Sequence, residues 1–326
     1  MEYALLGRTG VRVSRICLGT ALFGLTPLEA SVPALVDRAL GLGINFIDVA
    51  NTYGNRPSFD RPGLPPHDER KSAEELVGHA LRGRRHEVVL ATKVGERMHP
   101  GPNGSGLSRG HVMHQVEDSL RRLQTDYIDL YYAHHPDPAT PIEETLRTMD
   151  DLVRQGKVRY FAMSNYAGWQ VAETMLVAER LGLAAPVCNQ VRYSMIARQV
   201  EREVAPAGEH FGISLLPFSP LGGGLLSGGA NASQPIAGNQ RWRGGQGPGY
   251  TPAQVGVAKE MDRLGAEWGH PAAHLALAWL LAKPRVASVV VGPGRIASLE
   301  ESASAAGVAL TPEQLVALDS VGADIS

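Results

Sequence analysis

Residues 127–164, YIDLYYAHHPDPATPIEETLRTMDDLVRQGKVRYFAMS, hold one complete strand–helix–strand unit. Tyr127–His134 is a short run rich in Ile, Leu and Tyr, as a buried parallel strand should be. Thr140-Pro141 then opens a helical stretch, Ile142–Gln155, that stops at Gly156. That is the proline-start, glycine-stop asymmetry of a helix. Arg159–Ser164 returns as a second apolar strand.

The same alternation extends in both directions. Upstream lie strand-like runs at Ile16–Gly19, Asn45–Val49 and Val88–Lys93. Downstream lie Val187–Val191, Ile213–Phe218 and Ser288–Val291. Between and after them come helical stretches at Pro33–Leu42, Ser72–Arg82, Arg109–Leu123, Gly168–Leu181, Gln199–Phe211, Ala253–Trp268, Pro271–Ala282, Ile296–Ala306 and Pro312–Val321. Ser72 opens a capping box with Glu75, and Ser108 is placed to cap the next helix. Eight strand–helix units in series predict a closed (β/α)8 TIM barrel. The competing fold is a pair of doubly wound halves. Its first strand normally runs into Gly-x-Gly-x-x-Gly, which Leu18-Gly19-Thr20-Ala21-Leu22-Phe23-Gly24 does not match. Leu5–Gly10 with Val11-Arg12-Val13 reads as a β-hairpin that plugs the barrel's bottom. The whole chain, 1–326, is expected to form one domain.

Two connections exceed simple turns. Gly54–Arg70 carries four prolines, and Gly222–Tyr250 is rich in glycine. Both follow strands, so both belong to the C-terminal face, where barrel active sites sit. The second carries too many glycines to be rigid by itself.

Composition excludes several classes. Hydrophobic residues make up 44% of the 326 residues and charged residues 20%, enough to build a large core. A net charge of -2 offers no broad basic field for nucleic acid or an anionic membrane. No apolar run reaches the roughly 18 residues of a membrane span. The opening MEYALLGRTG does not read as a signal peptide. Cys17 and Cys188 lie in apolar runs and read as reduced core thiols, which predicts a cytoplasmic protein.

Polar residues at the ends of buried strands mark chemistry, because burying them costs free energy. Asp48 lies near the end of the second strand, with Tyr53 just past it. Lys93 ends the third and His134 the fourth. Neighbouring strands lie about 4.8 Å apart, so an acid, a phenol, an ammonium and an imidazole converge at one rim. A free phenol, with a pKa near 10, is a poor acid at neutral pH. A nearby ammonium stabilises the phenolate, and a carboxylate keeps the ammonium charged and aimed. Taken singly, Lys93 with Asp48 also reads as a structural ion pair, and His134 as a core histidine. His111 and His114 share one helix face and, with His134, His135 and Asp137, could suggest a metal, but their helix start lies away from this rim, so no metal site is expected.

The set Asp48, Tyr53, Lys93 and His134 resembles the catalytic tetrad of the aldo-keto reductases. The flanking phrases match too: GINFIDVANTYG over 43–54, LATK over 90–93, DLYYAHHPD over 129–137, MSNY over 163–166, NQVRYS over 189–194 and FSPLGGGLLSG over 218–228. The likeness looks strongest to the branch of bacterial reductases and potassium-channel β subunits. It implies an NAD(P)H-dependent reduction of a small-molecule ketone or aldehyde to an alcohol. Tyr53 would protonate the carbonyl oxygen, Lys93 and Asp48 would tune it, and His134 would orient the carbonyl. Ser164, Asn165 and Gln190 would hold the nicotinamide carboxamide, and Phe218 would stack on its ring. Ser219, Leu221 and Gly222 would take the pyrophosphate, and the long Gly222–Tyr250 connection would fold over the bound cofactor. Arg295, Ser298, Glu301 and Ser302 fall at the adenine end.

The chain departs from that pattern in two places. Residues Asn55–Lys71 intervene after the tyrosine; they read as a surface loop, as a contact within a homo-oligomer or as a wall of the substrate pocket. Ser298 and Ser302 stand where the family usually has a basic or glutamine side chain and an Asn. NADPH is therefore expected with only modest preference, and NADH as an alternative. The carbonyl is open: a sugar ketone, a natural-product keto group as in secondary metabolism, or a general aldehyde. Three other readings stand beside the reductase: a cofactor-binding accessory or sensor subunit, a dehydrogenase working mainly in oxidation, and a metal hydrolase on the same barrel.

Overall fold

A computed structural model describes residues 1–60, 62–228, 249–323 and 325. Eight parallel strands close on themselves in chain order: β3 (Ile16–Gly19), β4 (Phe46–Asp48), β5 (Val89–Val94), β6 (Ile128–Ala133), β7 (Val158–Ser164), β8 (Cys188–Arg192), β9 (Ser214–Phe218) and β10 (Val289–Val291), which pairs back onto β3. The chain is a (β/α)8 barrel, and the doubly wound alternative is excluded. Before it, β1 (Tyr3–Leu5) and β2 (Arg12–Ser14) form an antiparallel hairpin. Most of Gly222–Tyr250, expected to cover a cofactor, lies outside the described residues.

Strand alternation makes two cores. Side chains facing the barrel axis, among them Cys17, Phe46, Ala91, Leu130, Tyr132, Cys188 and Leu216, pack as an inner cluster. Those facing outward pack under the helices in a larger cluster. The hairpin contributes to the first: Leu6 and Val13 are fully buried in the inner cluster. Gly7 donates its N–H to Ser214 Oγ at 2.7 Å, tying the hairpin to β9. The barrel floor is thereby sealed by apolar side chains.

The helices are α1 (Val32–Gly41), α2 (Ala73–Ala80), α3 (Arg109–Leu123), α4 (Ile142–Arg154), α5 (Gly168–Leu181), α6 (Val204–Phe211), α7 (Pro252–Trp268), α8 (Ala272–Ala282), α9 (Ile296–Ala305) and α10 (Pro312–Ser320). The capping box at Ser72 is present: Glu75 N–H donates to Ser72 Oγ, and Ser72 N–H to the Glu75 carboxylate. Ser108 precedes α3 without lending it a side-chain bond. Beyond shifts of a residue or two at element ends, three features differ from or add to the sequence reading. The hairpin turns over Leu6–Val11, and its first strand lies earlier, at Tyr3–Leu5. The stretch Gln199–Phe211 is a short 3-10 turn followed by α6, because Glu203 leaves helical geometry. Arg85–Glu87 forms its own 3-10 turn before β5. No helix among the described residues is long and apolar enough to cross a membrane.

Candidate active site

Register decides which strand-end residues meet. Asp48 on β4 lies beside Gly19 and Ala91, and Lys93 on β5 lies beside Tyr132. Both face the axis at the C-terminal end. Lys93 is fully buried and Asp48 nearly so. The ammonium donates to Asp48 Oδ2 at 2.6 Å, to the Val49 carbonyl at 2.8 Å and to Tyr53 Oη at 3.3 Å. Burial alone would push Lys93 down, but Asp48 and Tyr53 outweigh it and hold it above its usual value. The cation is therefore permanent at working pH, and it points at the phenol oxygen.

Tyr53 is fixed through its backbone. Its N–H donates to Ala50, and its carbonyl accepts from Ala73 at the start of α2. The next residue, Gly54, has φ of +89°, and a Cβ there would meet the Phe23 carbonyl at 2.9 Å. Only glycine permits this turn. The Tyr53 ring stands edge-on to His134 with centroids 6.0 Å apart.

His134 follows β6 and is nine-tenths buried. Burial first, then Lys93 and His135, push its pKa down to about 2. Its imidazole is neutral throughout the working range. It can offer a hydrogen bond through its one N–H but is not an acid at neutral pH.

The residues expected to hold a carboxamide gather at the same rim. Ser164 ends β7 and is buried; Asn165 follows it with φ of +62°. Asn165 Nδ2 lies 3.0 Å from the His134 carbonyl, 3.0 Å from Ser164 Oγ and 3.3 Å from His135 Nδ1. Gln190 on β8 is buried, and its Nε2 donates to Asp48 Oδ1 at 2.7 Å. One side of that amide is thus committed to the tetrad, and Oε1 remains to accept. Phe218 ends β9 in register with Arg192 and Val290, half-exposed at the mouth. Ser219 (φ +53°) and Gly222, Gly223 and Gly224 (φ +57°, +70° and +103°) form a tight turn past Leu221. At Gly222 a Cβ would meet Ile196 at 2.4 Å.

The adenine-end residues lie at the start of α9, apart from the tetrad. Arg295 is exposed, and its Nε donates to Ser298 Oγ at 3.1 Å. Ser302 Oγ bonds back to the Ser298 carbonyl within the helix, and Glu301 faces solvent. Ser302 is therefore already satisfied by its own helix.

Asn55–Lys71 is stitched into a defined loop by Arg70, which is only 8% exposed. Its guanidinium donates to the carbonyls of Gly54, Arg56 and Pro65 and pairs with Asp60 at 2.9 Å. Arg56 leaves this loop to pair with Glu96 at 3.0 Å, and Glu96 bonds His135 Nε2 at 3.2 Å. Sequence reading missed Arg56 and Glu96 and weighed His135 only as a metal-ligand candidate, although its adjacency to His134 was an available signal. Glu96, His134 and His135 each offer an atom within 4.8 Å of the others. However, the two rings are parallel within 8°, so their lone pairs do not converge, and Arg56 already neutralises Glu96.

Comparison with known proteins agrees with this geometry. The family model described as the aldo/keto reductase family matches residues 15–323. The chain is 38% identical over 328 residues to the uncharacterized oxidoreductase YrpG of Bacillus subtilis (strain 168), covering 98% of this chain and 96% of that protein. It is 32% identical to a probable voltage-gated potassium channel subunit beta of Arabidopsis thaliana, over 98% and 96% of the two chains. It is 31% identical to the L-glyceraldehyde 3-phosphate reductase of Escherichia coli (strain K12), over 94% and 87%. With its barrel, its rim tetrad and a match across nearly its whole length, the chain belongs to the aldo/keto reductase family.

Proposed function

We propose that this oxidoreductase reduces a ketone or aldehyde to an alcohol at the rim formed by Asp48, Tyr53, Lys93 and His134. The observation that carries the reading is the Lys93 ammonium, held by Asp48 at 2.6 Å and aimed at Tyr53 Oη at 3.3 Å. A dinucleotide held at this rim, NADPH or alternatively NADH, would supply a hydride for the carbonyl carbon. Tyr53 gives its phenolic proton to the carbonyl oxygen. The phenolate so formed rests beside Lys93, which lowers the cost of that charge, and solvent restores the proton. His134, neutral, donates a hydrogen bond that orients the carbonyl.

The residues present suit the dinucleotide. Gln190 keeps Oε1 for an amide N–H once its Nε2 has gone to Asp48, Ser164 brings a hydroxyl, and Phe218 offers a half-exposed ring. The glycine turn past Ser219 and Leu221 brings backbone close to a pyrophosphate. Arg295 is the cation nearest the start of α9, where a 2′-phosphate gains from helix N–H groups.

The name of one relative supports a small aldehyde as the first substrate to assay. The name of another favours a second reading, an accessory subunit with little turnover. The intact tetrad weighs against it. Multiple turnovers of NADPH oxidation with a panel of aldehydes, ketones and sugars separate the two. Tyr53→Phe should retain cofactor binding and lose on the order of 10²-fold or more in turnover. Turnover close to normal in that variant defeats the reading.

A further inference from the structure

We propose that Arg56, Glu96 and His135 are positioning residues that fix the imidazole of His134, so that the Asn55–Lys71 loop acts on the reaction through them. The proposal rests on the carbonyl-reductase reading above.

The need for such a device follows from His134 itself. A functional histidine is usually oriented by the hydrogen bond its second nitrogen makes. Here Nδ1 is buried with no hydrogen-bond partner. What remains to fix the ring are other rings. Tyr53 meets it edge-on, and His135 stacks on it at 4.7 Å with planes 8° apart.

An exposed histidine makes a poor clamp unless it is held, since an exposed side chain samples several rotamers. His135 is held at both nitrogens. Asn165 Nδ2 lies 3.3 Å from Nδ1, and Glu96 Oε1 lies 3.2 Å from Nε2. An amide nitrogen only donates, so Nδ1 accepts and the proton on Nε2 points at Glu96. Glu96 is held in turn by Arg56 at 3.0 Å. Arg56 donates to Thr52 Oγ1 at 2.8 Å, and its carbonyl accepts from the buried Arg70 at 3.1 Å.

Thr52 is the residue before Tyr53. The chain of contacts therefore leaves the catalytic phenol's own backbone, passes through the loop, and returns on the far side as the ring stacked on His134. Glu96 favours the charged imidazole and Arg56 opposes it, so the pair act on it in opposite senses. What the network's contacts supply is orientation. A reacting group displaced by about 1 Å can cost on the order of 10²-fold, so a partly released ring is expected to cost about tenfold.

The test uses the full-length protein and the variants Arg56→Met, Glu96→Gln, His135→Ala and His135→Phe. The expected result is a fall of about tenfold in kcat for Glu96→Gln and His135→Ala, with NADPH affinity within about twofold. The double variant Arg56→Met/Glu96→Gln should be no worse than the worse single, because both cut one chain. His135→Phe keeps a stacked ring and should recover part of what His135→Ala loses. Side-chain nitrogen NMR of His134 in the cofactor-free protein should show its ring signals shifted or broadened in Glu96→Gln. Unchanged kcat with unmoved His134 signals overturns the proposal, while an inactive Tyr53→Phe still upholds the reductase reading. Additive losses in the double variant also overturn it. Should the wild type reduce no carbonyl, the reading fails, and the His134 signals alone decide whether the ring is held.

Discussion

Gln190 reaches across the barrel from β8 and donates its amide to Asp48 Oδ1 at 2.7 Å, while Lys93 occupies Oδ2. Both oxygens of a buried carboxylate are thus satisfied, each by a different strand. Gln190→Met keeps the volume and removes the donor. Leaving a buried acceptor unpaired costs about 1–3 kcal/mol. Urea denaturation should register that loss, and turnover should fall with it as Asp48 gains freedom. A variant as stable as the wild type would mean that the bond contributes nothing net.

Lys93→Met should be the more damaging change. It strands Asp48 as a buried charge lacking its cation, at a cost of about 3–5 kcal/mol. It also removes the ammonium from Tyr53. The expected outcome is a lowered denaturation midpoint together with loss of carbonyl reduction in whatever fraction stays folded. Denaturation and turnover measured on the same preparation check both halves. Full activity in a folded Lys93→Met protein would remove the cation from the mechanism.

Acid should weaken the fold through two groups at the mouth. His134 is pushed down to about 2, mainly by burial, from an ordinary value of 6.5. Glu96 is also drawn down to about 2, chiefly by its bond to His135. In both cases the unfolded chain takes up its proton at a higher pH than the folded one. Their stabilisation is therefore complete above about pH 6.5 and declines as pH falls toward 2. One proton gives a slope of at most about 1.4 kcal/mol per pH unit, or about 2 kcal/mol between pH 6.5 and 5. Urea midpoints at pH 7.5 and 5 should fall for the wild type and fall less for His134→Asn. Equal falls would place the acid sensitivity elsewhere.

In the reading proposed above, cofactor choice rests on Arg295. Arg295→Ala should weaken NADPH by about one to two decades, the value of a charged hydrogen bond, and leave NADH nearly unchanged. Binding titrations with the two dinucleotides check this. Equal weakening of both would make Arg295 structural, consistent with its bond to Ser298, and would move the phosphate site elsewhere.

The barrel was legible because its strands are short apolar runs whose ends carry abrupt polar residues. Asp48, Lys93 and His134 stood out for that reason, and register then brought them together. Gln190 was legible as a rim residue, yet its bond to Asp48 was not. No local spacing reveals which residue lies across a closed barrel. Arg56 and Glu96 were harder still. They sit on loops whose paths hydrophobic periodicity does not define, and they meet only because Arg70 folds the first loop from within. The break at Glu203 escaped notice because the apolar pattern continues across it.

Leu6 and Val13, sunk into the barrel floor, shut one end of the barrel. Two reactants that meet at the opposite rim must therefore share an approach. In the reading proposed above, the reactant that enters first is covered by the second, and its departure would then limit how soon the next cycle begins.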